Sequence, residues 1–312
     1  MISTAFVLGA GLGTRLRPLT EVRPKPLIPV CNRPLMAYTF DHLLAHDVQR
    51  FVVNTHWRAE VFAQEFPKSQ YRNAPIAFRH EAPEVLETAG GIKNVEDLLG
   101  DAPFLVYNGD ILCDFSLEPL IRAHVDSGNE VTVALRSKDG PLKISFDEAT
   151  SRVLDIAGML NPQSEQRFLF IGVYVVSPAF LARIPAATKL SVVPIFLEMI
   201  RQGAKLGGVI CDDGDWRDLG SREQYLAVHR DFAARPALAG SPPWISPGAE
   251  VAADAELTGA TAIGAGARIG AGARLHDCVI WPGAEIASGS DLTACIVSGA
   301  TPVAGSHVGA DF

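Results

Sequence analysis

The sequence has few of the features that mark secreted, membrane-bound or nucleic-acid-binding proteins. Its five cysteines are odd in number, far apart and without a C-x-x-C pair, so we expect reduced packing residues and no zinc or disulfide chemistry. No apolar run approaches the ~20 residues that a membrane-spanning helix needs. The net charge of −8 lacks the basic excess that a nucleic-acid or anionic membrane partner requires. The first apolar stretch follows no basic run and is interrupted by Arg15, which predicts a first strand, no signal peptide and a cytoplasmic protein.

The composition fits a globular chain with more than one domain. It has 312 residues, of which 48% are hydrophobic and 20% charged, enough for one large α/β domain and a smaller unit. Apolar runs of strand length alternate with helix-like stretches. The strand runs are 5–8, 51–53, 76–78 and 104–107, and the helical stretches are 35–45, 59–66, 91–99 and 117–125. This alternation predicts a Rossmann-like, mostly parallel sheet with helices on both faces, which binds ligands at the carboxyl ends of its strands.

The pattern changes in the second half of this region. Four β-rich runs follow one another with little room for helices, at 131–135, 142–146, 152–156 and 168–176. They predict an inserted antiparallel layer. Two further helices are expected around 192–202 and 222–234, and prolines at 236, 242 and 243 indicate a linker over residues 236–244. The large domain is therefore expected to span residues 1–235.

Residues 245–312 carry a repeat of six. Aliphatic residues recur at Ile245, Val251, Leu257, Ile263, Ile269 and Leu275, with small or acidic residues filling most intervals. A disordered Ala/Gly linker would show no such period. The repeat resembles the hexapeptide of a left-handed parallel β-helix, with the aliphatics on inner corners and a slip in register near residues 278–281. Because so short a solenoid has open apolar ends, we expect a homo-oligomer through this domain.

A glycine loop follows the first strand. Leu8, Gly9, Ala10, Gly11, Gly13 and Thr14 form it, and Arg15 and Lys25 come next. Glycine lets backbone N–H groups converge on phosphate oxygens, and the two cations can neutralise a polyphosphate, so the segment predicts a triphosphate site. Neither a P-loop nor a dinucleotide loop fits, because Gly-Lys-Ser/Thr is missing, the spacing is Gly-x-Gly-x-Gly, and the second strand ends at Asn54 without an acidic residue.

A carboxylate stands at the end of a later strand. Asp110 closes the run 104–107 and suits a Mg²⁺ that bridges substrate phosphates, because magnesium prefers oxygen ligands and takes few from the protein. A strand-end aspartate that caps a turn is the structural alternative.

These motifs together resemble the sugar-1-phosphate nucleotidyltransferases, or nucleotide-sugar pyrophosphorylases. The resemblance rests on GLGTRLRPLT at 11–20 with PKP at 24–26, LETAGG at 86–91, VYNGD at 106–110 and WRDLG at 216–220, in the family's order. It implies attack of a sugar 1-phosphate oxygen on the α-phosphorus of a nucleoside triphosphate, with release of pyrophosphate. It also implies catalytic roles for Arg15 on the pyrophosphate and Lys25 near the α-phosphate, with Asp218 as a second magnesium ligand beside Asp110.

The resemblance further implies where the base and the sugar bind. The base contacts would come from Glu81 and from the turn holding Glu87 and Thr88. A carboxylate at Glu81 can accept from guanine or uracil N–H groups, which favours GTP. Leu86-Glu87-Thr88 replaces the Leu-Gly-Thr of many guanylyltransferases and is similar to bacterial N-acetylmuramate-1-phosphate uridylyltransferases, so a uridylyltransferase acting on an amino-sugar 1-phosphate is the alternative.

The sugar side departs from the family pattern. Asn108, Gly109 and Gly172 are expected near the sugar, but Glu-Lys-Pro is absent and the usual Asn-Ala-Gly is replaced by Phe170-Ile171-Gly172. Mannose 1-phosphate is therefore only the default acceptor.

Two other functional classes remain open. A non-catalytic subunit that senses nucleotide sugars would not need Arg15, Lys25, Asp110 and Asp218 together. An acyltransferase in the repeat domain, using His276 or His307, lacks an obvious inserted loop.

Overall fold

A computed structural model describes residues 2–160 and 166–312. Its α-helices are α1 (Leu19–Val22), α2 (Leu35–Leu44), α3 (Ala59–Glu65), α4 (Glu87–Asn94), α5 (Glu96–Leu99), α6 (Glu118–Ser127), α7 (Val192–Arg201), α8 (Arg222–Ala233) and α9 (Pro236–Ala239). Short 3-10 helices cover Thr14–Leu16, Lys25–Leu27 and Pro178–Arg183. None of the helices in these two ranges has the length and apolar character that crossing a membrane would require.

The strands fall into a large sheet and several small ones. In the first part of the chain they are β1 (Thr4–Leu8), β2 (Pro29–Val30), β3 (Arg33–Pro34), β4 (Arg50–Thr55), β5 (Gln70–Tyr71), β6 (Ala74–His80), β7 (Phe104–Asn108), β8 (Ile111–Cys113), β9 (Val131–Arg136), β10 (Ile144–Asp147), β11 (Arg152–Ile156), β12 (Arg167–Val176), β13 (Leu206–Ile210) and β14 (Trp216–Asp218). The large sheet has the order β10-β11-β13-β9-β12-β7-β1-β4-β6-β5.

A parallel block forms the centre of this sheet. β1 pairs in parallel with β4 on one side and β7 on the other, and β4 pairs in parallel with β6. The apolar side chains of β4 and β7, and those of Ala5, Phe6 and Val7 in β1, are buried, as expected for strands covered on both faces. The predicted alternation of strands and helices is confirmed here. The carboxyl ends of β1, β4, β6 and β7 share one edge of the sheet, and the glycine loop begins at that edge.

The inserted strands are mixed in direction. β12 runs antiparallel to both β7 and β9, and β10 pairs antiparallel with β11 and β12. β13, for which the sequence predicted no strand, pairs in parallel with β9; its Leu-Gly-Gly-Val-Ile run carries two glycines that weaken the strand pattern. β14 pairs antiparallel with β8, so residues 111–113 and 216–218 form a separate two-stranded ladder.

One predicted helix is divided in the structure. The stretch predicted as one helix over 91–99 is two helices, α4 and α5, because Val95 leaves the helical region at φ −110° and ψ 11°. The later helices begin at serine caps: Ser191 accepts from the N–H of Val193, and Ser221 accepts from the N–H of Gln224.

The C-terminal strands form three parallel ladders. They are β15 (Trp244–Ile245), β16 (Glu250–Val251), β17 (Glu256–Thr258), β18 (Ala262–Ile263), β19 (Arg268–Ile269), β20 (Arg274–His276), β21 (Val279–Ile280), β22 (Glu285–Ile286), β23 (Asp291–Thr293), β24 (Ile296–Val297) and β25 (Ser306–Val308). Trp244 pairs with Ala262 and Glu250 with Arg268, three hexapeptides further along the chain, so each coil of this β-helix has three faces.

The inner corners of the β-helix hold the predicted aliphatic residues unevenly. Ile263, Ile269 and Leu275 are buried in its core, whereas Ile245 in the first coil is 47% exposed. The expected slip in register is present, because Ile263 pairs with Ile280, one residue short of three hexapeptides. Ile286 and Leu292 then continue the core.

The chain forms two compact units. The large unit contains Pro24–Pro26, Met36–Asp218 and the described residues before Gly13, and the small unit contains Gly13–Arg23, Leu27–Leu35 and Leu219–Phe312. The sequence boundaries at residues 235 and 245 stay a prediction, since contacts divide the chain at Leu219, and the expected linker contains α9. Within the small unit, Cys31 N–H donates to His229 Nε2, and the Tyr225 hydroxyl donates to the Pro29 carbonyl. These bonds explain why residues 27–35 group with α8.

Candidate active site

The first part of the glycine loop is shaped by protein packing. A Cβ on Gly9 would lie 2.6 Å from the carbonyl oxygen of Asn54, and the Gly9 N–H donates to Asn54 Oδ1 at 2.8 Å. Ala10 is buried. A Cβ on Gly11, in contrast, would meet nothing within 4 Å. Gly9 therefore permits a close approach of loop and strand, and Gly11 faces open space that a ligand can use.

The three glycines of the loop differ in backbone conformation. Of the three, only Gly13 has a positive φ, at +60°. Gly13 belongs to the small unit, where its carbonyl accepts bonds from the Thr20 hydroxyl and the Leu16 N–H and so starts the 3-10 helix Thr14–Leu16. The glycine spacing in the sequence thus combines three different local requirements.

Lys25 joins the two predicted metal carboxylates. Its Nζ lies 2.8 Å from Asp110 Oδ2 and 2.9 Å from Asp218 Oδ1. Only 6% of the lysine side chain is exposed, against 36% for Asp110 and 29% for Asp218. Charge-assisted bonds from one buried ammonium group hold both carboxylates, whose other faces remain open to solvent. Three of the four predicted catalytic residues therefore meet in the large unit.

The two aspartates are placed by the small ladder of β8 and β14. Asp218 pairs with Ile111, the residue after Asp110, so the ladder fixes the spacing of the two carboxylates. At the other end of the ladder, Asp114 Oδ1 accepts from the Asp215 N–H at 2.6 Å, and the Asp114 N–H donates to the Asp215 carbonyl. The position of Asp218 thus depends on the backbone that leads into β14.

A buried arginine holds that backbone. Arg136 is 1% exposed, and its guanidinium donates to the carbonyls of Cys211, Asp213 and Gly214 and to Asp139 Oδ2 at 2.8 to 3.2 Å. Desolvation of a charge is compensated here by several acceptors around one planar group. Sequence reasoning missed this role, because Arg136 ends a strand run that otherwise reads as apolar.

The donor set around Lys25 fits a hard divalent cation. Asp110 and Asp218 offer carboxylate oxygens, the ligands that Mg²⁺ prefers, and their partial exposure leaves room for water and phosphate ligands. Within residues 2–160 and 166–312, no cluster of three or more His, Cys, Asp or Glu side chains forms a larger metal site. Two protein carboxylates are what a cation carried mainly by substrate phosphates needs.

Arg15 and Thr14 lie in the small unit. The Arg15 guanidinium lies against Gly220, where a Cβ would come within 2.7 Å of Nη1. Gly220 belongs to the WRDLG motif and lacks a side chain where that arginine passes. The role of Arg15 on the pyrophosphate stays a prediction.

The 86–91 turn, which consists of Leu86 and the beginning of α4, is hydrogen-bonded to the loop before α7. The N–H groups of Ala89 and Gly90 both donate to the Leu190 carbonyl, and the Thr88 hydroxyl accepts from the Val192 N–H at 2.8 Å. Glu87 is exposed and has φ +61°, a left-handed conformation that favours glycine. Its side chain and the outer backbone of the turn are the parts open to a ligand.

Glu81 does not face that open side. Its side chain is 1% exposed, with Oε1 accepting from Asn54 Nδ2 at 2.7 Å and Oε2 from the Leu86 N–H at 2.8 Å. The expectation of a direct base contact is corrected accordingly, because both carboxylate oxygens are already committed inside the protein. Asn54 was visible in the sequence as the end of the second strand, but not as the partner of Glu81.

The predicted sugar residues come together at the end of β7. A Cβ on Gly172 would lie 2.4 Å from Asn108 Nδ2, and Gly172 has φ +77°. Gly109 has no room for a side chain either, since a Cβ would lie 2.5 Å from the Leu8 carbonyl oxygen. Trp216 Nε1 donates to the Ile171 carbonyl at 3.0 Å, which connects β14 to the bulge in β12. Nothing in the sequence indicated this bond.

A neutral polar cluster lies behind β7 and β8. His42 Nδ1 is 2.9 Å from the Tyr107 hydroxyl, and His42 Nε2 is 2.8 Å from the Phe115 carbonyl oxygen. Burial lowers the pKa of His42 to about 4 and raises the pKa of Cys113 to about 12. The imidazole and the thiol are therefore uncharged at neutral pH, and this cluster supports the strands without acid–base chemistry.

The fold and this site define an α/β protein with a glycine loop and an acidic pair at the carboxyl edge of a parallel block. Residues 4–235 match the family model described as Nucleotidyl transferase, and the chain belongs to that family. It is 30% identical over 233 residues to mannose-1-phosphate guanylyltransferase catalytic subunit beta of Xenopus tropicalis, covering 71% of this chain and 62% of that protein. The chain thus spans less than two thirds of that relative.

Other similarities extend further along the chain. Mannose-1-phosphate guanylyltransferase of Mycobacterium tuberculosis is 30% identical over 288 residues, which cover 89% of this chain and 79% of the relative. The crystal structure of HddC from Yersinia pseudotuberculosis shares the fold with a TM-score of 0.62 at 22% identity, covering 74% of this chain and 100% of that one. A structure of the same protein complexed with GMP-PN gives a TM-score of 0.61.

Proposed function

We propose that the protein transfers a nucleotidyl group from a nucleoside triphosphate, with GTP favoured, to a sugar 1-phosphate, forming a nucleotide sugar and pyrophosphate. The observation that carries this proposal is the meeting of Lys25, Asp110 and Asp218. The family match and the guanylyltransferase names of relatives support the reaction class and the base. Mannose 1-phosphate is the default acceptor because those relatives are named for it.

The chemistry asks for alignment and charge neutralisation. The sugar phosphate is already an anion, so no general base is required, and an in-line displacement at the α-phosphorus builds negative charge that cations must stabilise. Asp110 and Asp218 would hold Mg²⁺, which supplies charge neutralisation to both substrates when bound. Lys25 would exchange one carboxylate for a phosphate oxygen when nucleotide binds, and Arg15 would contact the departing pyrophosphate.

The nucleotide would lie along the carboxyl edge of the parallel block. The open space at Gly11 would admit the phosphates, and the outer side of the 86–88 turn would meet the base. Asn108, Gly109 and Gly172 would border the sugar, with Gly172 admitting close approach of the backbone.

A uridylyltransferase acting on an amino-sugar 1-phosphate is the second candidate. The observation that favours it is Glu87, which occupies a left-handed position where a guanylyltransferase-like turn has glycine. A carboxylate beside the base changes which N–H donors the site can accept from. A nucleotide-sugar sensor without chemistry would have no need for the lysine held by two carboxylates.

The decisive experiment measures pyrophosphate release for four nucleoside triphosphates against a panel of sugar 1-phosphates, with and without Mg²⁺. We expect turnover with GTP and mannose 1-phosphate that stops on chelation. Turnover confined to UTP and an amino-sugar 1-phosphate would establish the second candidate. No turnover with any pair, together with nucleotide-sugar binding by calorimetry, would replace both with a sensor.

The remaining proposals concern the whole molecule. We expect the β-helix to wind left-handed, the protein to be cytoplasmic, and copies to associate through the β-helix, whose first coil leaves Ile245 exposed. Light scattering at micromolar concentration tests the association, and a monomer would contradict it.

A further inference from the structure

A chain of hydrogen bonds links the glycine loop to the 86–91 turn through two buried side chains. The Gly9 N–H donates to Asn54 Oδ1 at 2.8 Å, Asn54 Nδ2 donates to Glu81 Oε1 at 2.7 Å, and the Leu86 N–H donates to Glu81 Oε2 at 2.8 Å. Asn54 and Glu81 are each 1% exposed. These three hydrogen bonds connect Gly9, at the start of the glycine loop, with Leu86, at the start of the 86–91 turn.

The direction of every bond is fixed. The Gly9 N–H can only donate, so it requires the amide oxygen of Asn54, and the amide nitrogen must then face Glu81. Both groups that face the Glu81 side chain are N–H donors, so each of its two oxygens accepts one hydrogen bond. Turning the Asn54 amide over would set its nitrogen against the Gly9 N–H and its oxygen against the Glu81 carboxylate, so only one amide orientation satisfies all three groups. A buried network with one consistent arrangement is rigid, because any break leaves an unpaired buried polar group.

The surrounding backbone fixes Glu81 as well. Its N–H donates to the Thr55 carbonyl at 2.8 Å, and its own carbonyl is 2.8 Å from His56 Nδ1. A Cβ on Gly91 would lie 2.9 Å from Asn54 Nδ2 and 3.0 Å from Glu81 Oε1. Gly91 of α4 therefore makes room for this pair, and the family motif 86–91 contacts it from two sides.

We propose that Asn54 and Glu81 are positioning residues that hold the glycine loop and the base turn in one geometry, so that triphosphate and base are recognised together. The proposal rests on the proposed function and assigns Glu81 a role from behind the turn in place of a direct base contact. Loss of either partner shifts the turn relative to the loop, which weakens nucleotide binding and reduces discrimination between bases while leaving the sugar 1-phosphate side unchanged.

The polarity of the pair permits a reciprocal test. In Glu81→Gln, whichever way the new amide is turned, an N–H group faces Asn54 Nδ2 or the Leu86 N–H. In Asn54→Asp, two carboxylates face each other. When both substitutions are combined, the carboxylate at position 54 accepts from the Gly9 N–H and from the amide at position 81, whose oxygen accepts from the Leu86 N–H. One buried negative charge and all three bonds are then restored with the middle bond reversed.

The experiment measures steady-state pyrophosphate release for the wild type, both single variants and the double variant, with GTP and UTP. We expect each single variant to raise the KM for the preferred nucleotide by at least ~10-fold, the effect of one unpaired buried group. The ratio of kcat/KM between the two nucleotides should fall and the KM for sugar 1-phosphate should stay constant. The double variant should recover both the KM and the ratio.

The matched control is Glu84→Gln, which makes the same change of charge on the same loop at a side chain that is 60% exposed. Gly91→Ala provides a second variant, which keeps Asn54 and Glu81 but places a methyl group against both side chains. We expect it to raise the nucleotide KM less than either single variant does. Thermal unfolding midpoints are measured for all variants. A variant that is folded at the assay temperature but has a raised nucleotide KM has lost the positioning of the loop and the turn and not the fold.

Three results would overturn the proposal: unchanged nucleotide KM and base ratio in both single variants, a double variant no better than the worse single variant, or an equal rise in the KM for sugar 1-phosphate. A wild type that binds GTP by calorimetry but never turns over would refute only the proposed function. The same variants would then be compared by GTP affinity against that of inorganic tripolyphosphate, and equal losses for the two ligands in the single variants would refute the link to the base.

Discussion

Lys25 and Asp110 stand 85 positions apart in the chain, and their charged groups meet at 2.8 Å. The contact joins the segment just after the first strand to the end of β7, and Asp218 completes it from β14. The ammonium group of Lys25 is buried between the two partly exposed carboxylates. It supplies positive charge that these carboxylates would otherwise need from another cation. One ammonium charge offsets only one of the two carboxylate charges, and the remaining negative charge favours the approach of a cation.

Replacing Lys25 or Asp110 with alanine should lower kcat by at least ~10²-fold, the usual loss when one group that stabilises transition-state charge is removed. Pyrophosphate release at saturating substrates and Mg²⁺ is the measurement. Lys189→Ala is the control, since Lys189 forms an exposed pair with Glu84. Turnover close to that of the wild type in either site variant would refute the proposed mechanism.

The same lysine should compete with divalent cations in the free protein. Lys25→Met leaves Asp110 and Asp218 without their internal partner, so the affinity for Mn²⁺ should rise by ~10-fold or more as repulsion from the ammonium group disappears. Electron paramagnetic resonance of free Mn²⁺ during titration gives the dissociation constant. An unchanged or weaker affinity would show that the carboxylates do not bind the metal where the lysine now lies.

Arg136 should matter for stability and, through β14, for turnover. Arg136→Met leaves three carbonyls and Asp139 without their donor and should lower the free energy of unfolding by about 3 kcal/mol. Urea denaturation measures the change, and Arg136→Lys should recover part of it. A loss below ~1 kcal/mol, within the range of exposed ion pairs, would mean that the loop at 211–214 is held by other contacts.

Buried neutral histidines should make the protein lose stability in mild acid. Burial lowers the pKa of His42, His124 and His229 to about 4, against an ordinary value of 6.5. Between these values the unfolded chain binds protons that the folded chain does not, so stability falls as the pH drops from 6.5 toward 4. At higher pH the three groups contribute no pH dependence.

Unfolding free energies across this window test the histidine prediction. In His229→Gln the slope of the unfolding free energy against pH should be smaller by the contribution of one proton. A profile that stays flat down to pH 4 would contradict the assignment of neutral buried imidazoles.

Glu87 combines an exposed carboxylate with a left-handed backbone. Glu87→Ala removes the carboxylate and keeps the strain, whereas Glu87→Gly removes both, so the glycine variant should be more stable than the alanine variant by about 1 kcal/mol. If the carboxylate influences the base, both variants should shift the GTP to UTP ratio equally. Equal stability of the two variants would mean that the turn changes conformation on substitution.

Much of the fold could be predicted from periodicity. The strands at the centre of the sheet are continuous apolar runs, and the β-helix aliphatics recur at a fixed interval, so both patterns were visible without side-chain partners. Asp110 could be placed at the edge of the sheet for the same reason, since the carboxyl ends of parallel strands meet there. Its proximity to Lys25 and Asp218 required the family motifs as well.

The parts that sequence reasoning missed are partnerships between distant side chains. Nothing in the residues around Glu81 shows that its side chain points inward to Asn54. The sequence also cannot distinguish a glycine at position 9 that a phosphate requires from one that the Asn54 carbonyl requires. Arg136 ends a run whose preceding residues are mostly apolar, so its burial could not be inferred from the pattern. Hydrophobic periodicity and composition indicate which face of a helix or strand is buried. The hydrogen-bond partner of a side chain on that face is known only from the three-dimensional structure.

One three-residue strand carries both a carboxylate that we propose as a metal ligand and an indole that contacts the backbone next to Gly172, which we propose borders the sugar. In β14, Trp216 donates to the Ile171 carbonyl and Asp218 holds Lys25, two positions apart and on the same side of the strand. If the proposed sugar site is correct, an acceptor that fits badly against residues 171 and 172 would displace the Asp218 carboxylate, which the proposed reaction requires to stay in place. For an enzyme of the proposed type, the wrong sugar would slow the chemical step more than it would reduce how often the pocket is occupied.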